Sequence, residues 1–538
     1  MIGDMNWRKW EPFVIAGIAF SMMAINFLPS ILFTLNVPKD RDYIPIHNSL
    51  SDYPYYTSII SQGIDGQTIV FDRETSEQHS GGYIHMLYLA IGWVGKVTGY
   101  HDANGLYHGA RLILGFVWMY VMYRFIKVFV QTSVGRITAF FFAVCGAGFL
   151  VIGEWQGVSY MAWPLDWWTE FNPILRAAFL PHYLAGHSLF VAGLLSFIGF
   201  IRKGNVKYLI SGTLCGVLSS IIHPPSYLMV GLLVPSYGFL SKRFKRTLFA
   251  IIGIGLGIIP LLYYRNLYSV FPWTLASSYE RLSFSVPLIS YVLGLGPVLL
   301  LGFTGFILRI RKKETWIFLL WVIVPSACVQ FIWYLLGTRF GPLVSISNLR
   351  FLQVAVWLPL AVGAGIAVEK IITCTPRIVG ILVCLLLLFI TFLGYPMSIQ
   401  AETRKVYGDY DFQFPKKGYL DAIRFMRTIT DPEDVILAMP LAGQIIPTYT
   451  NRTIYVGSKE FYTKDLSHKM DEAWAFYGGI FPCDAFSFVE NNRITAVFYG
   501  FDEKNAGDAV TRYPFLIKKG EFGETEVYGV NKLYEGCY

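Results

Sequence analysis

The sequence predicts a polytopic α-helical membrane protein followed by a C-terminal α/β domain on the outer face of the membrane. Three observations predict it. The 538 residues are 54% hydrophobic and only 15% charged, with mean hydropathy +0.47, whereas soluble domains carry about 25% charged residues. Apolar runs of near-membrane length recur as far as Gly394. Short basic clusters alternate with longer loops poor in Lys and Arg, as expected for spans inserted with their positive ends inside. The net charge of +8 sits in those clusters. It forms no continuous basic track, which argues against a nucleic-acid partner.

About eleven segments approach the roughly 20 apolar residues that a span needs. They are Pro12–Leu35, Leu106–Val130, Ile137–Ile152, Ala177–Ile201, Tyr208–Ile222, Pro225–Leu240, Thr247–Tyr264, Pro287–Ile310, Thr315–Leu336, Leu349–Val368 and Ile378–Gly394. The first is too long for a signal-peptide core and lacks a small-residue cleavage site, so it reads as a span. Gly81–Gly99 is apolar but broken by glycines and holds His85 and Lys96, and it reads as an interfacial helix. With a cytoplasmic N-terminus, the inner loops collect Arg124, Lys127 and Arg136, then Arg202, Lys203 and Lys207, then "SKRFKR" (Ser241–Arg246) and "RIRKK" (Arg309–Lys313), and finally Lys370 with Arg377. An odd number of spans puts everything after Gly394 outside. The expected division is a membrane domain over 1–396, with a first outer loop at 36–104, and an outer α/β domain over 397–538.

The tail departs from the membrane composition. "YLDAIRFMRTI" (Tyr419–Ile429) has helical spacing, while "DVILAMP", "RTIYVG" and "RITAVFYG" read as short buried strands. "FLIKKGEFGETEVYGV" reads as a hairpin turning at Gly523. Cys483 and Cys537 are the tail's two cysteines. They read either as a disulfide in an oxidising compartment or as two free thiols.

Charged residues crowd the outer ends of the spans. The first outer loop holds Asp40, Arg41, Asp42, Asp52, Asp65, Asp72 and Glu74. Later loops hold Glu154, Asp166, Glu170, Arg176, His182, His187, His223, Arg265, Arg281, Arg339 and Arg350. Arg111 lies about two turns inside a span, where an unpaired charge costs about 3 kcal/mol or more. Acids early and arginines late suggest one shared polar site. Each residue also has a plainer reading. Asp52 suits a helix N-terminus, since Pro54 follows it. Asp42 suits a solvated loop, and Arg265 and Arg350 suit snorkelling to headgroups. His182 and His223 suit helix ends, because no HxxxH or HExxH spacing accompanies them.

One apolar span, then "SDYPYYTSIISQGIDG" in a long outer loop, then a glycine-broken helix and "ARLILGF" opening the second span resembles the GT-C superfamily of integral-membrane glycosyltransferases. That superfamily includes protein mannosyltransferases, aminoarabinose transferases and the catalytic subunits of oligosaccharyltransferases. The resemblance implies that Asp52 is the catalytic acid, with Asp42 of the D-x-D "DRD" second. It implies further that Arg350 holds a lipid phosphate and that Arg111 matches an arginine at the start of the second span. Beside that implication, Arg265, and Arg176 with His182, are read as further phosphate ligands, and Tyr55 as part of a sugar-stacking wall or of an aromatic belt at the membrane interface. "WAFYGG" (Trp474–Gly479) departs from the WWDYG signature of the oligosaccharyltransferase branch. The implied partners are a polyprenyl-phosphate sugar donor, membrane lipid, and a glycan, lipid or protein acceptor; metal use is left open. Glycosyl transfer needs a base for the acceptor hydroxyl and positive charge near the leaving phosphate. A transporter or lipid-linked-sugar flippase is the rival class, although transporters usually show repeats and midplane charges. A glycan polymerase or ligase is a further alternative.

Overall fold

The computed structural model describes the chain except for residue 1 and residues 156–157, 167, 169, 280–283, 337–346, 407–408, 458–462, 481–483 and 535–538. Arg281, Arg339, Cys483 and Cys537 therefore lie outside the described residues. The chain begins with α1 (Ile2–Leu35), α2 (Asp52–Ile64), α3 (Met86–Thr98), α4 (Ala103–Phe129) and α5 (Ser133–Cys145). A β-hairpin, β1 (Val151–Trp155) and β2 (Val158–Ala162), leads to α6 (Pro173–Ala177) and α7 (Pro181–Lys203). Then come α8 (Val206–Ile222), α9 (Pro224–Leu240), α10 (Phe244–Gly255), α11 (Ile258–Leu267) and α12 (Trp273–Tyr279). The helical part ends with α13 (Leu288–Leu308), α14 (Lys313–Leu336), a 3₁₀ turn at Asn348–Leu352, α15 (Trp357–Cys374), α16 (Arg377–Phe392) and α17 (Tyr395–Arg404).

Among the described residues, eight helical stretches are long and apolar enough to cross a membrane. The other three expected segments are helical but shorter. At 1.5 Å per residue, the 17 residues of α8 and of α9 span about 25 Å, and the 13 of α5 about 20 Å. Expectation and structure differ most at Ile137–Ile152. The helix stops at Cys145, because Gly146 takes an extended ψ of 132°, and Val151 already pairs with Ala162 in the hairpin.

The described residues fall into two compact units. The first comprises Met1–Pro29, Arg111–Tyr263 and Glu280–Arg404; the second comprises Ser30–Ala110, Tyr264–Tyr279 and Lys405–Tyr538. The chain thus divides near residue 404, and the second unit also takes in most of the first long loop. At the centre of the first unit lies α15, whose residues from Trp357 to Val368 are all buried. Its "VGAG" stretch lets neighbours approach closely. A Cβ on Gly363 would sit 2.3 Å from the Gly302 carbonyl oxygen of α13, the kind of small-residue contact that membrane helices use in place of hydrophobic sorting.

In the second unit the tail adds α18 (Tyr410–Gln413), α19 (Tyr419–Ile429), β3 (Val435–Leu437), α20 (Pro440–Thr450) and β4 (Thr453–Ile454). It continues with α21 (Leu466–Gly478), α22 (Asp484–Asn491), β5 (Ile494–Tyr499), α23 (Phe501–Ala506), β6 (Leu516–Phe522) and β7 (Thr525–Val530). The sheet order is β4-β3-β5-β7-β6, parallel from β4 to β5 and antiparallel from β5 to β6. The expected helix, strands and hairpin are all present, and Gly523 turns the hairpin at φ +63°.

The C-terminal ends of β3 and β5 hide an acid. The Glu503 carboxylate accepts from Met439 N at 2.8 Å and from Gly500 N at 3.0 Å, joining the starts of α20 and α23. Burial pushes its pKa up from 4.5 to about 8, against those two N–H bonds. The folded chain therefore holds a proton that the unfolded chain loses above pH about 4.5. Its stabilisation is complete below that pH and is lost as pH rises through about 8, by at most about 1.4 kcal/mol per unit. Glu503→Gln is expected to lower stability at pH 5 and to flatten this slope. Hydrogen-exchange protection of β3 and β5 amides in the full chain, corrected for intrinsic rates, measures it. A slope retained by the glutamine variant would assign the titration elsewhere.

Candidate functional site

The expected site residues divide between the units. Arg111, Arg176, His182 and Arg350 belong to the first; Asp42, Asp52, Tyr55 and Arg265 belong to the second.

In the first unit Arg350 stands on the 3₁₀ turn before α15. That turn is pinned by Asn348, which donates to the carbonyls of Phe284 at 2.8 Å and Val329 at 2.9 Å. Arg350 itself is half-buried, and its Nη1 donates to the Tyr183 hydroxyl at 3.2 Å. Pro181 opens α7, placing His182, Tyr183 and His187 on its first two turns. The Tyr183 ring lies 4.2 Å from His182 and 5.1 Å from His223, and His187 lies 5.4 Å from His223. Burial, then the neighbouring His187, His182 and Arg350, hold the His223 imidazole well below its usual pKa. The cluster thus sets one guanidinium beside a tyrosine hydroxyl and three imidazoles, an arrangement suited to an anion.

Arg176 and Arg111 are held by the protein's own groups. Arg176 donates to the carbonyls of Glu170 at 2.9 Å and Ala143 at 3.2 Å, and its guanidinium stacks 3.8 Å over the Trp357 ring. Glu170 accepts from Ala355 N at 2.6 Å and caps the start of α15. Burial raises the Glu170 carboxyl to about 7, against those N–H bonds and Arg176. Arg111, only 1% exposed, donates to Asn26 at 2.7 Å and to the carbonyls of Ala178 and Phe179. It ties α1 and α4 to the chain between α6 and α7.

In the second unit Asp52 is the first residue of α2, half-buried, with its amide donating to Ser49 Oγ at 3.3 Å. The helix is fixed from several sides. Gly63 and Gly92 let α2 and α3 cross closely, since a Cβ on Gly92 would sit 2.2 Å from the Ile60 carbonyl oxygen. Thr57 meets Thr448 of α20 at 2.8 Å, and Tyr53 donates to Asn104 at 2.7 Å. Tyr55 is 2% exposed and packs edge-on against His85 and Tyr56, so its faces meet protein. Asp42 is occupied differently. Its carboxylate accepts from Gly418 N and Leu420 N at 3.1 Å each and pairs with Lys417 at 3.0 Å, capping α19. Arg265 is exposed in the last turn of α11, where a cation also complements the helix dipole.

Sequence reasoning listed Glu170, His187 and His223 as outer-loop polar residues but gave Glu170 no role. The signal was an acid and an arginine six residues apart in the mostly apolar "EFNPILR". Tyr183 carried no signal of its own. Among the described residues, no group of three His, Cys, Asp or Glu side chains is placed to hold a metal.

No family model matches the chain, and no curated protein matches it. Solved structures do. The archaeal oligosaccharyltransferase AglB from Archaeoglobus fulgidus, in complex with an inhibitory peptide and a dolichol-phosphate, matches at TM-score 0.55 and 13% identity, over 91% of this chain and 69% of that one. ArnT from Cupriavidus metallidurans, bound to undecaprenyl phosphate, matches at TM-score 0.55 and 10% identity, over 96% of this chain and 97% of that one. The likeness is one of fold, shared with an oligosaccharyltransferase and with ArnT. The match to ArnT runs nearly end to end in both chains, so it takes in the helical part and the C-terminal sheet alike.

Proposed function

We propose that the chain is a membrane glycosyltransferase that moves a sugar from a polyprenyl-phosphate donor to an acceptor hydroxyl on the outer face. The observation that carries this reading is the fold match to two structures holding dolichol-phosphate and undecaprenyl phosphate, nearly end to end for the second. In the proposed reaction Asp52 takes the acceptor proton while the acceptor oxygen attacks the anomeric carbon. The bond from that carbon to the phosphate oxygen breaks, and the phosphate leaves with the electron pair. Arg350, with His182 beside Tyr183, stabilises the charge on the departing phosphate. Arg265 is the reserve phosphate ligand. Asp42, Tyr55, Arg111 and Arg176 are assigned to holding the scaffold, for the contacts given above.

Binding of undecaprenyl phosphate tests the phosphate assignment without knowledge of the sugar. Arg350→Ala is expected to weaken it by roughly 2–3 kcal/mol, the value of hydrogen bonds to a charged group. Arg350→Lys should recover part of that, because lysine keeps the charge but not the planar fork. Undecaprenol, which lacks the phosphate, should bind all three proteins alike. Unchanged affinity in the alanine variant would reduce Arg350 to a snorkelling anchor and pass the phosphate to Arg265.

A further inference from the structure

At the other, basic ends of the spans, α4, α7, α13, α14 and α15 of the first unit enclose a cavity of about 360 Å³. Pockets that take small ligands start near 300 Å³. Its lining includes the charged Arg202, Arg309, Lys312 and Glu314 and the nearly buried rings of Phe129, Phe306 and Phe318. Three cations thus face one carboxylate. Two of the cations are fixed. Arg202 donates from Nε to the Tyr237 hydroxyl at 2.7 Å and pairs through Nη2 with Glu314. Arg309 donates from Nη1 to the Phe129 carbonyl at 2.9 Å, capping α4. A guanidinium has five N–H donors, so each arginine keeps donors beyond those it spends on the protein.

We infer that this cavity binds the phosphate diester of an anionic phospholipid, with the acyl chains over the exposed apolar side chains beside it. Basic pockets between span ends attract anionic headgroups, and the charge pattern here supplies that term. The neighbouring surface decides between sources of phosphate, because Val128, Ile307 and Leu308 are exposed apolar side chains that acyl chains would cover and a soluble phosphate ion would not. The site is separate from the proposed transfer chemistry and does not depend on it.

The test uses the full chain, delipidated in detergent, with native mass spectrometry and thermal unfolding. Phosphatidylglycerol should bind and raise the melting temperature more than phosphatidylcholine of the same acyl chains. Lys312 is exposed, and Lys312→Glu should weaken phosphatidylglycerol binding roughly five- to tenfold. Glu314→Gln removes the one carboxylate and should tighten it. Equal binding of the two lipids, or no response in either variant, would overturn the inference. Stabilisation by inorganic phosphate equal to that by phosphatidylglycerol would also overturn it, by making the cavity a site for a soluble anion.

Discussion

Asparagine at position 52 is expected to lower sugar transfer by two to four orders of magnitude while leaving undecaprenyl phosphate binding unchanged. Asparagine matches aspartate in shape and can still accept at the start of α2, so the helix should keep its place. It cannot take a proton at neutral pH. General-base catalysis contributes about 10²–10⁴-fold, and that whole factor is at stake. The measurement is polyprenyl phosphate released by the purified chain from lipid-linked sugars of its own membranes, beside phosphate binding in the same preparation. A flippase would keep its transport rate with asparagine. A variant with more than a tenth of the parent rate would remove Asp52 as base, whatever the binding data showed.

What the sequence made legible was local, and what it hid was long-range. Helix α19 was readable because "YLDAIRFMRTI" repeats its apolar residues at helical spacing, with Asp421 in the first turn and Arg427 in the last. The β6–β7 hairpin was readable because a glycine with positive φ sits between alternating strands. The hairpin β1–β2 was hidden, since Val151 and Ile152 prolong the hydropathy of α5 and only Gly146 and Gly148 mark the break.

Site roles were harder for the same reason. Asp42 and Asp52 look equivalent in the sequence, two acids in one polar loop. Asp42 is committed by amides at Gly418 and Leu420, more than 370 positions away, and no local pattern announces that. Glu170 caps a helix that begins some 185 residues later. Partners that far apart are set by packing, so composition and spacing narrow the candidates without ranking them.

Arg111 is the residue whose removal should cost most in stability. Its depth in α4 reads from the sequence as a charge too costly to leave unpaired. Its guanidinium serves Asn26 and two consecutive backbone carbonyls, Ala178 and Phe179, and lies 4.7 Å from the Phe27 ring. Methionine would fill similar volume yet strand those three acceptors in a region closed to water. Each buried acceptor left unmade costs about 1–3 kcal/mol, and removing the buried cation recovers part of that through desolvation. The net loss for Arg111→Met is expected to be about 3–5 kcal/mol. Arg111→Lys should fall between, because an ammonium keeps the charge but cannot fork between Asn26 and the chain at Ala178. Thermal unfolding of the purified chain, followed by accessibility of its buried Cys145, reports the loss. A methionine variant that unfolds at the parent temperature but fails to bind undecaprenyl phosphate would move Arg111 from the scaffold to the donor site.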